Sequence, residues 1–533
     1  MAPFVEQSCG RVVAICLCGV AVRMVLGIVG LQPTLEGAME LVVSSTSWQR
    51  AQEGLFLGTM GLSHYAGSVF TGSPLMLAAA AICAMLPVGA QAFAATALFT
   101  AFDVMSALLL RAICIRAVAV ESQDWETQLE EWMDEDAKPP GLRKPSPLNV
   151  PPAPTTAMAS EKAAVAKSDA ESAERDANGN ATPCGKDSSG PMAESVASNL
   201  PDVVLAAYLL NPVLAGQCAA LSGDVLGRVL PLVALAAAGA RRPGLTAAAL
   251  AAAVCLWRFY ATSLLLPLAL VLAQGPQGGV EGGVSEVDRA AMAGFDPRYF
   301  EFDVNVFLRL CAAFVGWCVV VLGACWLGTS GSWDFLSAAA RGQLLCENLT
   351  PNAGLYWYFF AELFPRFRGF FRVLFLSHPY VYVLPATLRL GMFPEALAVL
   401  LLAIFGVFQP YPTLADPMLA GCLFLCHPRT SARMRIVIPV CMVALVPSFL
   451  LPTMRHLWLQ AGTGNANFYY FQTVVLNVLL SVFVLQFVAA LVKRRKALAV
   501  AFTKRRKSSA AATLASGAGG SGVDGAVREG SED

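Results

Sequence analysis

Residues 468–491 run for 24 positions without a formal charge. At about 1.5 Å per residue, a helix of that length reaches roughly 36 Å and crosses a bilayer with some tilt. Comparable apolar runs recur at 12–30, 93–118, 203–221, 225–240, 245–257, 261–273, 304–327, 373–390, 395–408, 413–426 and 436–452. In hydrocarbon each segment must satisfy its own backbone hydrogen bonds, so such runs become helices. The 533 residues are 56% hydrophobic and 14% charged, whereas a soluble domain carries about a quarter charged residues. The expected fold is all-α, a polytopic membrane helical bundle of about 12 crossings. Several runs are short for a full crossing, so hydropathy alone does not fix their ends.

Charge placement orients the bundle. Past the last run stand Lys493-Arg494-Arg495-Lys496 and then Lys504-Arg505-Arg506-Lys507. Basic flanks stay cytosolic, so the stretch preceding that run faces the lumen. Arg111 and Arg116, Arg241 and Arg242, and the group Arg429, Arg433 and Arg435 mark further cytosolic ends. An even number of crossings places both termini in the cytosol. Arg366, Arg368 and Arg372 run against this tally, and indicate either luminal phosphate contacts or a slip in the topology.

The chain divides into N-terminal helices at 1–118 with a luminal loop at 31–73, an insertion at 119–199, the main helical part at 200–492, and a tail at 493–533 that is basic and then disordered. The insertion is rich in Ala, Ser, Pro, Glu, Asp and Lys and has no aromatic residue after Trp132. It buries too little apolar surface to order itself and is expected to be cytosolic and disordered. The Gly-rich stretch 275–302 is expected to be a cytosolic loop. Residues 75–86 should dip into the membrane from the lumen. Residues 332–352 read as a luminal segment, and the aromatic stretch 354–364 as a helix lying in the interface.

Residues 455–470, between the last two runs, read as a loop at the luminal mouth. Trp458, Tyr469 and Tyr470 suit the headgroup level. Asn465 and Asn467 offer amide donors and acceptors, and Gly462 and Gly464 let the backbone approach whatever those amides hold. Arg455 is a fork-shaped donor suited to phosphate. A structural alternative stands beside this: either asparagine can cap the last helix. His456 and Trp458 are read as belt or packing residues that also have a place in the cavity lining. Tyr356 and Trp357 belong to an interfacial anchor or a ligand wall.

The remaining chemistry is sparse. The 15 Cys sit mostly within apolar runs and read as small core hydrophobes, and the 4 His are scattered. No Cys–His pair, Ser triad, metal-ligand spacing or phosphate loop emerges, so no catalytic residue, metal or cofactor is expected. Asp103 lies inside a crossing and needs a buried partner. Asn477 and Gln486 are expected to bond neighbouring helices, and Asp334 and Asp416 to cap helices or pair locally.

Several motifs add up to a resemblance. Asn348-Leu-Thr-Pro-Asn-Ala-Gly-Leu-Tyr-Trp-Tyr-Phe-Phe-Ala-Glu-Leu-Phe364, Tyr411-Pro-Thr413 and His456-Leu-Trp-Leu-Gln-Ala-Gly-Thr-Gly-Asn-Ala-Asn-Phe-Tyr-Tyr470 closely resemble the PIG-U family of GPI transamidase subunits. Ser47-Trp-Gln-Arg-Ala-Gln-Glu-Gly54, Leu209-Leu-Asn-Pro212 and Ser332-Trp-Asp-Phe335 add to the match. The resemblance covers nearly all the chain except 119–199 and the tail.

It implies a GT-C-like fold with luminal interfacial helices, a multi-pass place in the endoplasmic reticulum membrane, and a non-catalytic subunit that helps hold the GPI lipid. Cleavage of a proprotein's C-terminal signal and joining of the new end to GPI would belong to a cysteine-protease-like subunit, PIG-K. PIG-T, PIG-S and the Gaa subunit are the further partners, and no nucleic acid is implied. Asn465 and Asn467 match the family's luminal pair expected near the GPI head. The proprotein's apolar signal peptide is a second candidate ligand. An active GT-C mannosyltransferase would carry paired acids in its first luminal loop. Here that loop has Glu36, Glu40 and Glu53 but no Asp. An assembly scaffold without lipid contact is the remaining alternative.

Overall fold

A computed structural model describes residues 2–67, 69–123, 191–273 and 302–518. The chain separates into one unit of residues 1–125 and 199–533 and a second of residues 126–198. Most of the second unit lies outside the described residues, as do residues 275–301 of the Gly-rich stretch and residues 519–533. The first unit holds the features below.

The described residues form helices and turns, with no strand among them. Five helices are long and apolar enough to cross a membrane, at Gly10–Ile28, Val88–Glu121, Val304–Gly328, Val437–Leu459 and Ala466–Ala497. A sixth span is added if Asn199–Leu209 and Pro212–Ala219, bent by 49°, count as one. Shorter apolar helices lie between them, at Pro74–Ala84, Pro243–Cys255, Phe259–Ala273, Pro394–Phe408 and Ala415–Leu425. The chain is a multi-pass, all-helical membrane protein.

Contacts sort the helix ends into two groups. At one end Arg111 pairs with Asp202 at 3.0 Å, Arg116 with Glu395 at 2.7 Å, and Arg494 with Glu121 at 2.8 Å. These include the arginines that the charge tally assigned to the cytosol. At the other end the first loop is stitched to the later helices. Leu414 N–H donates to the Glu40 carbonyl at 2.9 Å, and Ser44 bonds Thr350 at 3.0 Å. Arg368 belongs to this second end, where its Nε donates to the Leu363 carbonyl at 3.1 Å. The helix Pro365–Val381 that carries all three anomalous arginines therefore starts on the loop side.

Small residues make the interior. Ala234, Ala238, Ala249 and Ala253 are buried together with Leu250, Leu397 and Leu400. Between membrane helices there is little hydrophobic drive, so close backbone approach by small side chains supplies the packing. By contrast Leu308, Val315, Val319 and Leu327 stand exposed on Val304–Gly328, an apolar surface that suits lipid tails.

A polar network runs through this core. Arg23 Nε donates to Asp103 at 2.7 Å, and both side chains are 0% exposed. Tyr208 donates its hydroxyl to Asp103 at 2.7 Å and receives Arg228 Nη1 at 2.9 Å. The break at Leu210-Asn211-Pro212 explains one further bond. Val213 N–H is taken by the capping side chain of Asn211 at 2.9 Å. The carbonyl of Leu209, freed by the break, instead accepts Arg23 Nη1 at 2.7 Å. This is how a kinked helix is tolerated in hydrocarbon.

Three expectations are corrected. The run 436–452 extends as the helix Val437–Leu459, which passes through Pro447 and Pro452. Arg455, His456 and Trp458 are therefore on its final turns and not in a loop. The crossing at 373–390 is two helices, Pro365–Val381 and Val383–Leu390. The last helix, Ala466–Ala518, continues beyond both basic blocks, because their lysines, arginines and alanines are good helix formers.

Candidate functional site

The helices Val437–Leu459 and Ala466–Ala518 pack as a hairpin joined by 460–465. Thr463 and Gly464 N–H groups both donate to the Leu457 carbonyl at 3.0 Å, closing the first helix. Gly462 has φ +66, a left-handed conformation that glycine adopts without strain. A Cβ on Gly464 would lie 3.2 Å from the Trp458 nitrogen. The close approach made by Gly464 is thus to its own hairpin.

Asn465 caps the last helix, its Oδ1 accepting Phe468 N–H at 3.2 Å. Asn467 does not cap; its Oδ1 accepts the Tyr358 hydroxyl. Both asparagines are exposed, and among the described residues neither Nδ2 has a protein acceptor. Behind them lies an aromatic cluster. Trp357 is 4% exposed and stacks on Trp458 at 6.4 Å. It also meets Tyr470 edge-on at 5.8 Å, and Tyr358 stacks on Tyr470 at 4.5 Å. Among the described residues Trp357 Nε1 and the Tyr469 hydroxyl are buried without a hydrogen-bond partner, and each such orphan costs about 1–3 kcal/mol.

The other candidates divide. Arg455 joins this mouth, but as a paired residue: Nε donates to Glu40 at 3.2 Å and Nη1 to the Gly37 carbonyl at 3.5 Å. His456 is exposed and bonds Gln460 at 2.5 Å. Tyr356 turns away. Its hydroxyl donates to the carbonyls of Phe408 at 2.9 Å and Phe375 at 3.3 Å, and its ring stacks on Phe375. Asn477 donates to the Ala353 carbonyl at 2.8 Å, tying the last helix to the segment before Tyr356, not to a neighbouring helix. Asp416 accepts Thr413 N–H at 2.7 Å, a local pairing. Tyr470, expected at the headgroup level, joins the mouth through Tyr358, and Tyr358 and Glu40 complete it. The aromatic run at 356–360 was a signal for Tyr358; nothing local marked Glu40 as the partner of Arg455.

Glu40 and Arg455 give a pH-dependent expectation. Burial pushes the Glu40 carboxyl above its ordinary range, and Arg455 pulls it partly back. Arg455→Leu strands this carboxylate. The cost is below the ~3–5 kcal/mol of a fully buried pair, because the Arg455 side chain is 19% exposed. The stranded carboxyl takes up a proton as pH falls through its raised pKa, so the stability gap to the parent should shrink on acidification. Melting of both proteins between neutral and mildly acidic pH checks this. A gap that widens on acidification would refute the pairing.

The arrangement of the motifs is that of one known family. A sequence profile for the GPI transamidase subunit PIG-U matches residues 17–476. The chain belongs to the PIG-U family. The GPI-anchor transamidase component PIGU of Mus musculus is 36% identical over 147 residues, 28% of this chain and 34% of that protein. The GPI transamidase component GAB1 homolog of Schizosaccharomyces pombe is 34% identical over 160 residues, 30% of this chain and 39% of its own length. GAB1 of Saccharomyces cerevisiae is 35% identical over 144 residues, covering 26% and 36% respectively. The aligned stretch thus spans little more than a third of each of these PIG-U relatives.

Proposed function

We propose that this chain is a non-catalytic, multi-pass subunit of GPI transamidase in the endoplasmic reticulum membrane, and that it holds the GPI lipid at the hairpin mouth. Family membership supports a place in GPI transamidase, and the relatives are named as components of it. One observation carries the second. Asn465 and Asn467 stand exposed at the head of the last helix with their oxygens engaged and their amide nitrogens free. Two uncommitted NH2 groups over an aromatic wall suit phosphate oxygens and sugar hydroxyls. Arg455 adds its Nη2. Acyl chains come from lipid and not from water, so most of their burial gain cancels and selection rests on the head. Bond making falls to the cysteine-protease-like partner, PIG-K, with PIG-T, PIG-S and the Gaa subunit completing the assembly.

Asn465→Ala with Asn467→Ala should lower surface GPI-anchored protein several-fold while the mutant still co-purifies with its partners. Asn465→Ala alone loses a helix cap worth about 1 kcal/mol, so the melting temperature separates that effect. Undiminished anchoring in the double mutant would leave these residues with capping and packing only. Cells lacking the protein should accumulate complete, unattached GPI. Accumulation of a GPI short of mannose would point to a mannosyltransferase.

A further inference from the structure

A second cavity, lined by none of the candidate residues above, opens at the same end of the bundle. It holds about 130 Å³ between the first loop, the start of Gly223–Gly239, the turn after Pro243–Cys255 and the end of Pro394–Phe408. At its base Arg258 Nη2 donates to the Asp224 carboxylate. Asp224 is further held by Gln217 Nε2 at 3.4 Å and Ser222 Oγ at 3.5 Å. The guanidinium lies against the backbone of Gly227, where a Cβ would come within 2.8 Å of its Nε. Trp257, just before Arg258, has φ +79, a strained setting for a bulky residue and one that persists only where its surroundings enforce it. Arg258 Nε and Nη1 have no protein acceptor among the described residues.

The lining decides the ligand class. Asp224 and Arg258 are its charged residues, one of each sign, so an anion gains no net field there. The rest combines hydroxyls and amides, Ser45, Ser73, Gln343 and Gln409, with the rings of Trp257, Tyr260, Tyr380 and Tyr411 and with aliphatic side chains such as Met76, Leu256 and Leu376. An adjacent carboxylate and guanidinium accept from and donate to neighbouring hydroxyls at once. Flat aromatic rings cover the apolar C–H face of a ring that carries hydroxyls at its edge.

We propose that this cavity binds a neutral sugar ring, with its hydroxyls on Asp224 and Arg258 and its C–H face on the aromatic wall. The site is independent of the mouth at Asn465 and Asn467.

The test uses the full-length protein, purified in a detergent without a sugar headgroup, and saturation-transfer NMR with methyl α-mannoside and methyl β-glucoside as probes. At least one glycoside should show saturable transfer that inorganic phosphate does not displace. Gly227→Ala, which pushes the guanidinium aside without removing a charge, should weaken it at least about tenfold. Gln343→Leu should weaken it less. Melting temperatures show that each variant is folded. Absence of transfer from both glycosides, displacement by phosphate, or indifference to Gly227→Ala would each overturn the proposal.

Discussion

Asp103→Leu should be more damaging than Arg23→Leu, although both break the same pair. Removing Asp103 leaves Arg23, 0% exposed, and Arg228, 5% exposed, without the carboxylate between them. An uncompensated buried cation costs about 3–5 kcal/mol, a large share of the ~5–15 kcal/mol that holds a domain folded. Removing Arg23 leaves Asp103 with the Tyr208 hydroxyl at 2.7 Å and Arg228 at 3.7 Å. That variant still loses the bond to the freed Leu209 carbonyl, so it is weakened as well. The amount of folded protein recovered in detergent, and its melting temperature, should follow the order parent, Arg23→Leu, Asp103→Leu. The reverse order would show that the Leu209 carbonyl, and not the carboxylate, is what Arg23 chiefly serves.

Trp357→Ala should unseat the mouth. The side chain meets Tyr358, Trp458, Tyr469 and Tyr470. Truncating a buried tryptophan costs about 3–5 kcal/mol through lost burial and the cavity it leaves, so folded protein and anchoring should fall together. Trp357→Phe separates packing from hydrogen bonding. It keeps a ring and removes a buried Nε1 that has no partner, so stability should hold or rise. If the lipid head reaches that nitrogen, Trp357→Phe lowers anchoring at unchanged melting temperature. If anchoring stays intact, the tryptophan serves packing alone.

What the sequence disclosed follows from the range of each interaction. A charge-free run of 24 residues needs no neighbour to declare itself a membrane helix, and Asp103 in such a run declares its need for a partner. The identity of the partner, Arg23, 80 positions upstream, came only with packing. The Tyr358–Asn467 and Glu40–Arg455 contacts span 109 and 415 positions and follow from packing. Short segments such as Pro243–Cys255 lack the length to declare themselves. The apolar run reads as ending at 452. Packing against the last helix carries it onward instead, which moves Arg455, His456 and Trp458 from a loop onto helical turns.

The spacing of Arg23 and Asp103 has a consequence for biogenesis. Ribosomes add about 5–20 residues per second, so the arginine waits roughly 4–16 s for its counter-charge, and longer for Tyr208 and Arg228. Until then a guanidinium on the nascent first segment has no mate in the bilayer. Insertion of that segment should therefore be deferred, or remain reversible, until the Asp103 segment leaves the translocon beside it, with the two entering the lipid as a neutralised couple.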